Sequence, residues 1–559
     1  MKALPHDSGA PSARRSDRPR HAGHPTLVRL GRFWAPALAS LLVGACGGGG
    51  GGGDGAAPTG GSTTPTAPAS TSTMSLRGVA TYDHVPNTTG ELAYASTTQR
   101  PIRGASVDIV DGAGAVVAST RTDANGAYGV QVPAGSTVSV RVKAQLVQTG
   151  GGATWDVSVR DNTQSNALYT LETPAVQVST EGVVRNVTAP SGWTGSSYGG
   201  TRAAAPFAVL DTIYTTQSKV LSVAPSSVFP PLRVYWSVNN IGANGDIAQG
   251  NIGSTAFVTN ASGAAIYLVG RENVDTEEYD APVIAHEWGH YYQTSFSRDD
   301  SPGGPHSTND LLDRRLAFSE GWGNAWSGIA LDRADYTDSF GPGQKQGARI
   351  VLGTPAASNP GWYREDSIQS ILWNLNRQVG FKPIHDAFTA SSFRRGAAVT
   401  SIHSFAASLG AASPVSAPVL AGLLGGQGIA ASTSDPFGAN ETNNGGIAPA
   451  LPLYLDATVG VNTQVCVNYQ AGTVNRLGNY AYLRFNAPTA RNYVIGVNGA
   501  AGTDPDLAVW GAGAGLVSTA RAAGVAESLT TALPAGTAVI ALHDYNNSTA
   551  SPCFNVSIQ

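Results

Sequence analysis

Two long apolar stretches in the middle of the chain contain almost no ionisable side chains, and they constrain the fold more than any other feature. Apart from tyrosines, the first stretch (residues 282–297) has three ionisable side chains and the second (residues 316–331) has one. Helices on a protein surface normally carry charged residues on their outer face. We therefore predict that both stretches are buried helices. A buried charge needs a partner of opposite sign, so we expect the carboxylates of these stretches to meet a cation.

The ionisable side chains of the first stretch have the spacing of a metal site. His286 and His290 are four residues apart, which places them on one face of a helix, and neutral imidazole is a good ligand of zinc. Glu287 lies beside such an ion rather than on it, the position of a general base that acts on water. Asp280 as N-cap and Pro282 in the first turn support the helix. The alternative is a chance pattern on a surface helix, which the apolar surroundings disfavour.

A catalytic zinc ion needs a third protein ligand and one open position, and Glu320 is the best candidate. It is the one ionisable side chain of the second stretch, where an unpaired carboxylate is strongly disfavoured. Gly321 and Gly323 leave room for a close approach by the first helix. Asn324, one turn further on, is placed to orient a ligating histidine. Most of the rival ligands lie in polar, Gly/Pro-rich or charged segments: Asp299, Asp300, His306, Asp310, Asp313 and Asp332.

The combination of these two helices resembles the gluzincins, the thermolysin-like clan of metallopeptidases. The segments that carry the resemblance are Val283-Ile284-Ala285-His286-Glu287-Trp288-Gly289-His290 and Ser319-Glu320-Gly321-Trp322, and they are most similar to the fungalysin branch. The resemblance implies His286, His290 and Glu320 as zinc ligands and Glu287 as the base. The metzincin class is excluded, because it requires a glycine and a histidine where this chain has Gln293 and Phe296.

The resemblance leaves two points open. Asn324 stands where many relatives have aspartate. The residue that stabilises the transition state is not fixed by the sequence, and the candidates are Tyr363, Arg364 and His306. We interpret His385 and His403 as structural histidines.

The N-terminal region is predicted to direct export. Residues 1–32 are polar and arginine-rich, and an apolar run of signal-peptide length follows at residues 33–45. The run ends in Leu42-Val43-Gly44-Ala45-Cys46, which resembles a bacterial lipobox and implies lipidation of Cys46. An ordinary cleaved signal is the alternative. We expect a lipoprotein of the cell envelope, in the outer membrane, or an extracellular protein, with a lipid anchor as its sole membrane contact.

The rest of the chain divides by composition and periodicity into a linker at 47–75, a β-sandwich at 76–185, a metallopeptidase domain at 186–430, a linker at 431–450 and a second sandwich at 451–559. The first sandwich resembles the carboxypeptidase-regulatory-like module, through Pro101 to Val107 and Thr122 to Tyr128. The second resembles the bacterial pre-peptidase C-terminal domain. Cys466 and Cys553 fall near its two ends, and we expect them to pair in an oxidising compartment.

The expected fold is therefore multidomain, with an α+β thermolysin-like domain flanked by two β-sandwiches. The formal net charge of −4 gives no basic field that would attract nucleic acid, so we expect no nucleic-acid partner. The expected function is that of a zinc endopeptidase acting on proteins or peptides. Two alternatives remain: an exopeptidase of the same clan, and a non-catalytic surface adhesin with a vestigial metal site.

Overall fold

The computed structural model describes residues 72–469, 474–547 and 551–559. The predicted signal peptide, the lipidation site Cys46 and most of the linker at 47–75 lie outside these residues. Among the described helices, none is both long and apolar enough to span a membrane.

The chain is multidomain and rich in β-sheet, with several helices. The helices are α1 (Ala205–Leu221), α2 (Ala281–Phe296), α3 (Arg314–Leu331), α4 (Glu365–Val379), α5 (Phe381–Thr389), α6 (Ser391–Arg394), α7 (Ile402–Ala412) and α8 (Ala417–Gly426).

The largest sheet crosses the predicted boundary at residue 185. Its main strands, in spatial order, are Gly263–Leu268, Leu232–Trp236, Trp155–Asp161, Thr137–Gln148, Ala105–Asp111 and Val116–Arg121. Leu232 pairs in parallel with Val157, so strands from both sides of residue 185 belong to one sheet. The alternation that predicted a sandwich is real, since Val138, Val140 and Val142 are all buried. Alternation shows that one face of the strand is covered, but it does not show which element covers it. Here helix α1 forms part of the cover.

The strands of a second sheet alternate along the chain with strands of the first. The long strand Thr73–His84 pairs with Ala127–Pro133, Thr98–Pro101, Val183–Val184 and Val187–Ala189. A small antiparallel sheet lies next to helix α2 and contains the strands Gly270–Arg271, Asp275–Thr276, Asp335–Phe340 and Gln346–Val351. The hairpin formed by its last two strands directly follows α3 in the chain.

The C-terminal region consists of two antiparallel-rich sheets around a core of its own. One contains Leu455–Asp456, Tyr480–Ala487, Gly536–Asp544, Pro505–Gly511 and Gly515–Ala520. The other contains Thr463–Cys466, Cys553–Ile558, Arg491–Asn498 and Ala526–Leu533. Cys466 and Cys553 are opposite each other in register and are joined by a disulfide bond, which confirms the predicted pair.

Candidate metal centre

Helices α2 and α3 cross at two glycines, and this crossing brings the predicted ligands together. A Cβ atom on Gly289 would lie 3.2 Å from the Cα atom of Gly323, and a Cβ atom on Gly323 would lie 2.8 Å from the ring of His286. The indole Nε1 of Trp322 donates a hydrogen bond to the carbonyl oxygen of Gly289 at 3.0 Å. Because neither glycine has a side chain, the two backbones approach closely and His286 reaches α3.

Three side chains converge on one point at this crossing. The Nε2 atoms of His286 and His290 are 3.1 Å apart. The Oε2 atom of Glu320 lies 3.3 Å from Nε2 of His286 and 3.5 Å from Nε2 of His290. The three side chains are only 11–12 % exposed. The structure therefore places the predicted ligand set in a single buried cluster.

The donor set and its spacing fit a zinc ion. Ligands about 2.0–2.1 Å from a tetrahedral metal ion are roughly 3.3–3.4 Å from one another, close to the separations at His286, His290 and Glu320. Two unprotonated imidazole nitrogens at 3.1 Å would repel each other, so the arrangement needs either a shared proton or a metal cation between them. Two nitrogens and one carboxylate oxygen would leave one tetrahedral position for a water molecule or substrate.

Hydrogen bonds on the far side of each imidazole orient the two rings. The Nδ1 atom of His286 lies 2.9 Å from Oδ1 of Asn324. Because that oxygen only accepts, Nδ1 carries the proton and Nε2 keeps its lone pair for a metal. The Nδ1 atom of His290 lies 3.2 Å from Oγ of Ser319. Asn324 therefore contacts the ring of His286, and Ser319 makes a similar contact with the ring of His290.

The carboxylate of Glu320 makes the centre attractive to positive charge. Burial alone would raise the pKa of Glu320, but His290 and hydrogen bonds from His286, His290 and His306 hold it well below its usual range. Burial alone would lower the pKa of His290, but Glu320 outweighs burial and raises this pKa to about 9. The cluster thus draws protons onto imidazole, and a metal ion would compete for the same place.

Glu287 lies on the helix of the two histidines but outside the ligand cluster. Its Oε2 atom accepts a hydrogen bond from the backbone N–H of Phe257 at 2.6 Å. Phe257 belongs to the strand Ala256–Asn260. This bond fixes the carboxylate next to the cluster, and the role of general base stays a prediction for Glu287.

His306 contacts the cluster from a loop. Its Nε2 atom lies 3.2 Å from Oε2 of Glu320 and 3.6 Å from Oε2 of Glu365, and its side chain is 29 % exposed. The other two candidates for a transition-state role are engaged elsewhere. Tyr363 donates to the side-chain oxygens of Asn359 and Asn443. Arg364 pairs with Asp366.

Glu365 is a member of this site that sequence reasoning missed. It begins helix α4 and is almost fully buried. Burial raises its pKa to about 7, and the nearby His306 acts in the opposite direction. Acidic residues in the first turn of a helix are common because they interact favourably with the helix dipole. Glu365 and Asp366 therefore carried no signal that distinguished them from ordinary helix-start residues.

Asp280 does not cap helix α2 as predicted. Its side chain makes no capping hydrogen bond. Instead Oδ1 is bonded by the side-chain amide of Asn87 at 2.5 Å, and Oδ2 accepts from the backbone N–H and the hydroxyl of Ser339 at 2.9 and 2.7 Å. The residue ties the start of the helix to two neighbouring segments, which a local capping pattern cannot reveal.

Two further histidines have structural partners, in agreement with their interpretation. His385 Nδ1 lies 2.8 Å from the hydroxyl of Tyr292. His403 lies 3.0 Å from Glu441, and both side chains are 1 % exposed. Glu441 belongs to the predicted linker at 431–450, so this part of the linker is packed against the helices.

Comparisons with known proteins include three solved structures that are each similar to about a fifth of the chain. No family model matches the chain, and no curated protein matches it. The pre-peptidase C-terminal domain of collagenase from Bacillus anthracis shares 11 % identity over 19 % of this chain and 94 % of its own, with a TM-score of 0.16.

Two other solved structures resemble a segment of the same size. CorA, a surface-associated copper-binding protein of Methylomicrobium album, shares 7 % identity over 19 % of this chain and 98 % of its own, with a TM-score of 0.15. The periplasmic lysozyme inhibitor PliG of Aeromonas hydrophila shares 17 % identity over 19 % of this chain and 99 % of its own, with a TM-score of 0.13. None of these likenesses bears on the metal centre.

Proposed function

We propose that this chain is an exported zinc metallopeptidase that hydrolyses internal peptide bonds of protein or peptide substrates. The observation that carries the proposal is the convergence of His286, His290 and Glu320 within 3.1–3.5 Å of one another, with Glu287 beside the cluster and outside the ligand set. Two imidazoles and one carboxylate are one of the ligand sets found in catalytic zinc sites. When bound, zinc supplies Lewis-acid polarisation of a carbonyl and makes a water molecule more acidic.

Glu287 is the general base in this proposal. The hydrogen bond from Phe257 N–H holds Oε2 and leaves Oε1 to take a proton from the attacking water. The same carboxyl group then passes this proton to the leaving amine. The buried position of Glu287, which is 9 % exposed, keeps the carboxylate in a fixed orientation during both transfers.

His306 is the residue best placed to stabilise charge on the substrate. Of the three candidates it alone borders the ligand cluster, with Nε2 3.2 Å from Glu320. Its partial exposure allows it to turn towards a bound peptide and donate a hydrogen bond to the carbonyl oxygen as negative charge develops there. Glu365 lies 3.6 Å from the same Nε2 atom and favours the protonated, donating form of the imidazole.

Export is proposed on two grounds. A disulfide such as Cys466–Cys553 persists in oxidising compartments, and the segment that ends at Cys46 resembles a lipobox. A lipid on Cys46 would place the enzyme at the cell envelope, with protein or peptide as its partner and no nucleic acid. A wholly extracellular enzyme follows if the signal is cleaved without lipidation.

The proposal is tested by Glu287→Gln. This variant keeps the shape of the side chain but removes the base, so we expect kcat/KM to fall by about 10²–10⁴ while zinc stays near one ion per chain. Zinc is measured by mass spectrometry of the metal, and hydrolysis with a mixed peptide library whose products are identified by mass. Internal cleavage products separate an endopeptidase from an exopeptidase. Glu91→Gln, the same change at an exposed position, is the matched control.

Two outcomes would contradict the assignment. Loss of zinc from Glu287→Gln would mean that this carboxylate is a ligand, so the roles are misassigned. A zinc-loaded wild-type chain that cleaves no member of the library would favour the adhesin, in which the metal site is vestigial.

A further inference from the structure

A cavity of about 310 Å³ lies between the start of helix α3 and the C-terminal sandwich. Most of its walls come from residues 448–455 and from the strands Thr463–Cys466 and Tyr480–Ala487. Leu453 and Val465 in these walls are buried. Pro452 and Gln464 are exposed, so the cavity opens to solvent beside them. Its volume lies at the lower end of the range for pockets that bind small molecules.

The one charged side chain that lines this cavity is that of Arg314, which is 4 % exposed. Its Nε and Nη1 atoms are buried and have no hydrogen-bond partner. The neighbouring carboxylate of Asp313 pairs with Arg315 instead, with Oδ1 2.8 Å from Nε. Among the described residues, no carboxylate forms an ion pair with Arg314. A buried cation without such a partner is costly, so the cavity favours a ligand of negative charge.

Three aromatic rings surround the guanidinium of Arg314. Its Cζ atom lies 4.2 Å from the ring centroid of Tyr482, 4.9 Å from that of Tyr454 and 5.4 Å from that of Trp362. Burial raises the pKa of both tyrosines, so their rings stay neutral. The rings attract the cation through their π faces, but they supply no negative charge. They hold the guanidinium in place and leave its N–H groups for another acceptor.

We propose that this cavity binds the carboxylate group of a ligand that has a small apolar body. Arginine presents its N–H donors in a fixed fork that matches the two oxygens of a carboxylate. One carboxylate balances the single charge of Arg314, whereas a phosphate dianion would leave excess charge in the cavity. The apolar walls at Leu453 and Val465 would cover the body of the ligand. A blocked apolar amino acid and the C-terminus of a peptide both present this chemistry.

A bound carboxylate would connect two parts of the molecule. Arg314 is the first residue of helix α3, and the opposite walls belong to the sandwich and to the segment that leads into it. A ligand that binds only the folded chain stabilises it, so occupation of the cavity is expected to raise Tm. The proposal goes beyond the peptidase function and does not rest on it.

The test is a calorimetric titration of the full chain with N-acetylleucine, together with thermal unfolding at saturation. We expect one molecule to bind per chain and Tm to rise. N-acetylleucinamide is the uncharged matched probe and should bind about tenfold or more weakly, because it lacks the charge that Arg314 would pair with. An N-acetylated alanyl-alanyl-leucine peptide distinguishes the two sources of the carboxylate. Tighter binding of this peptide would identify peptide C-termini as the ligand, and weaker binding would identify small carboxylic acids.

Arg314→Met removes the charge and keeps an apolar stem, so it should abolish binding of N-acetylleucine. Arg377→Met is the matched control, because the side chain of Arg377 is 59 % exposed and does not line the cavity. Ala448→Trp is the second variant, in case Arg314→Met folds poorly. Ala448 is exposed and lines the cavity, so a large ring there should block the opening without disturbing the core. Ala421→Trp, at an exposed position in helix α8, is its control.

Three results would overturn the proposal. Equal binding of the acid and the amide would mean that the cavity recognises no charge. Tighter binding of inorganic phosphate than of N-acetylleucine would mean that a carboxylate is not the preferred anion. Absence of binding would mean that the three rings alone satisfy Arg314.

A metal centre can also bind a carboxylate, so the titration is repeated after metal has been removed with a chelator. We expect the affinity for N-acetylleucine to stay unchanged. Binding that disappears with the metal and persists in Arg314→Met would place the probe at the metal centre and overturn the proposal. Neither the probes nor the measurements involve hydrolysis, so failure of the peptidase assignment would leave this result unaffected.

Discussion

At the scale of single residues, one oxygen atom of Glu320 connects most of the candidate centre. Its Oε2 atom is within 3.5 Å of the candidate ligands His286 and His290 and of His306. A carboxylate in this position has two consequences. In the proposed peptidase, it completes the donor set for the metal, and it holds His306 next to the proposed position of the substrate carbonyl. The two roles can be separated by substitution, because only one of them needs His306.

Glu320→Ala is expected to lower zinc affinity by more than about 100-fold, since removal of even an outer partner of a ligand commonly costs 10–100-fold. His306→Ala is expected to keep zinc and to lower kcat by about 10²–10³, the usual loss for one hydrogen-bond donor to a developing oxyanion. Zinc is measured by competition with a chromophoric chelator, and kcat with a peptide substrate. If His306→Ala empties the site and Glu320→Ala does not, the ligand assignment and the gluzincin resemblance both fail.

At the scale of elements, the sequence located the two central helices well. Buried helices were predicted in residues 282–297 and 316–331, and the structure has them at Ala281–Phe296 and Arg314–Leu331. Composition succeeded here because a helical stretch with so few charged residues has no face suited to solvent. The elements that carry the other members of the site could not be identified from composition. His306 comes from a loop, and Glu365 resembles an ordinary residue of a first helical turn, so their meeting with Glu320 depends on tertiary packing.

The order of the strands in the sheet could also not be predicted from the sequence pattern. The alternation at Val138, Val140 and Val142 correctly predicted a half-buried strand, but it carries no information on which strand lies beside it. The parallel pairing of Trp155–Asp161 with Leu232–Trp236 joins segments separated by helix α1. A boundary based on composition at residue 185 therefore could not detect a sheet that is continuous across it.

Helix α3 should be intolerant of a side chain at Gly323. A methyl group there would lie 2.8 Å from the ring of His286, so Gly323→Ala must displace either the ring or the helix. We expect zinc affinity to fall by about 10–100-fold, with a lower Tm. Gly422→Ala in helix α8 is the matched control. Nothing lies within 4 Å of a Cβ atom at Gly422, and alanine there should stabilise the helix by about 0.5–1 kcal/mol. Equal zinc affinity in the two variants would mean that the close helix crossing does not position His286.

At the scale of the whole molecule, the C-terminal sandwich contacts the start of the helix that carries Glu320. Asp313 caps helix α3 by accepting from the backbone N–H of Arg315, and its Oδ2 atom accepts from the hydroxyl of Tyr482 at 2.6 Å. The guanidinium of Arg315 lies 4.2 Å above the ring of Tyr480. Arg314 packs in the same way against Tyr482. These contacts are buried and charged, so the sandwich is expected to contribute to the stability of the region around the candidate metal centre.

Tyr482→Phe tests this contribution by removing a single oxygen atom, that of the hydroxyl group. It leaves one oxygen of the buried Asp313 carboxylate without its donor, and loss of a hydrogen bond to a charged group costs about 1.5–3 kcal/mol. We expect a corresponding fall in the free energy of unfolding in urea, together with weaker zinc binding, because the cap of α3 loosens. Tyr545→Phe removes a hydroxyl from a tyrosine of the same sandwich that is 55 % exposed, and it should change neither quantity.

Removal of residues 451–559 should have a larger effect, since it also takes away the rings that cover Arg314 and Arg315. If the shortened chain binds zinc and cleaves peptides as well as the full chain, the sandwich is an independent accessory module and its contacts with α3 are without energetic consequence.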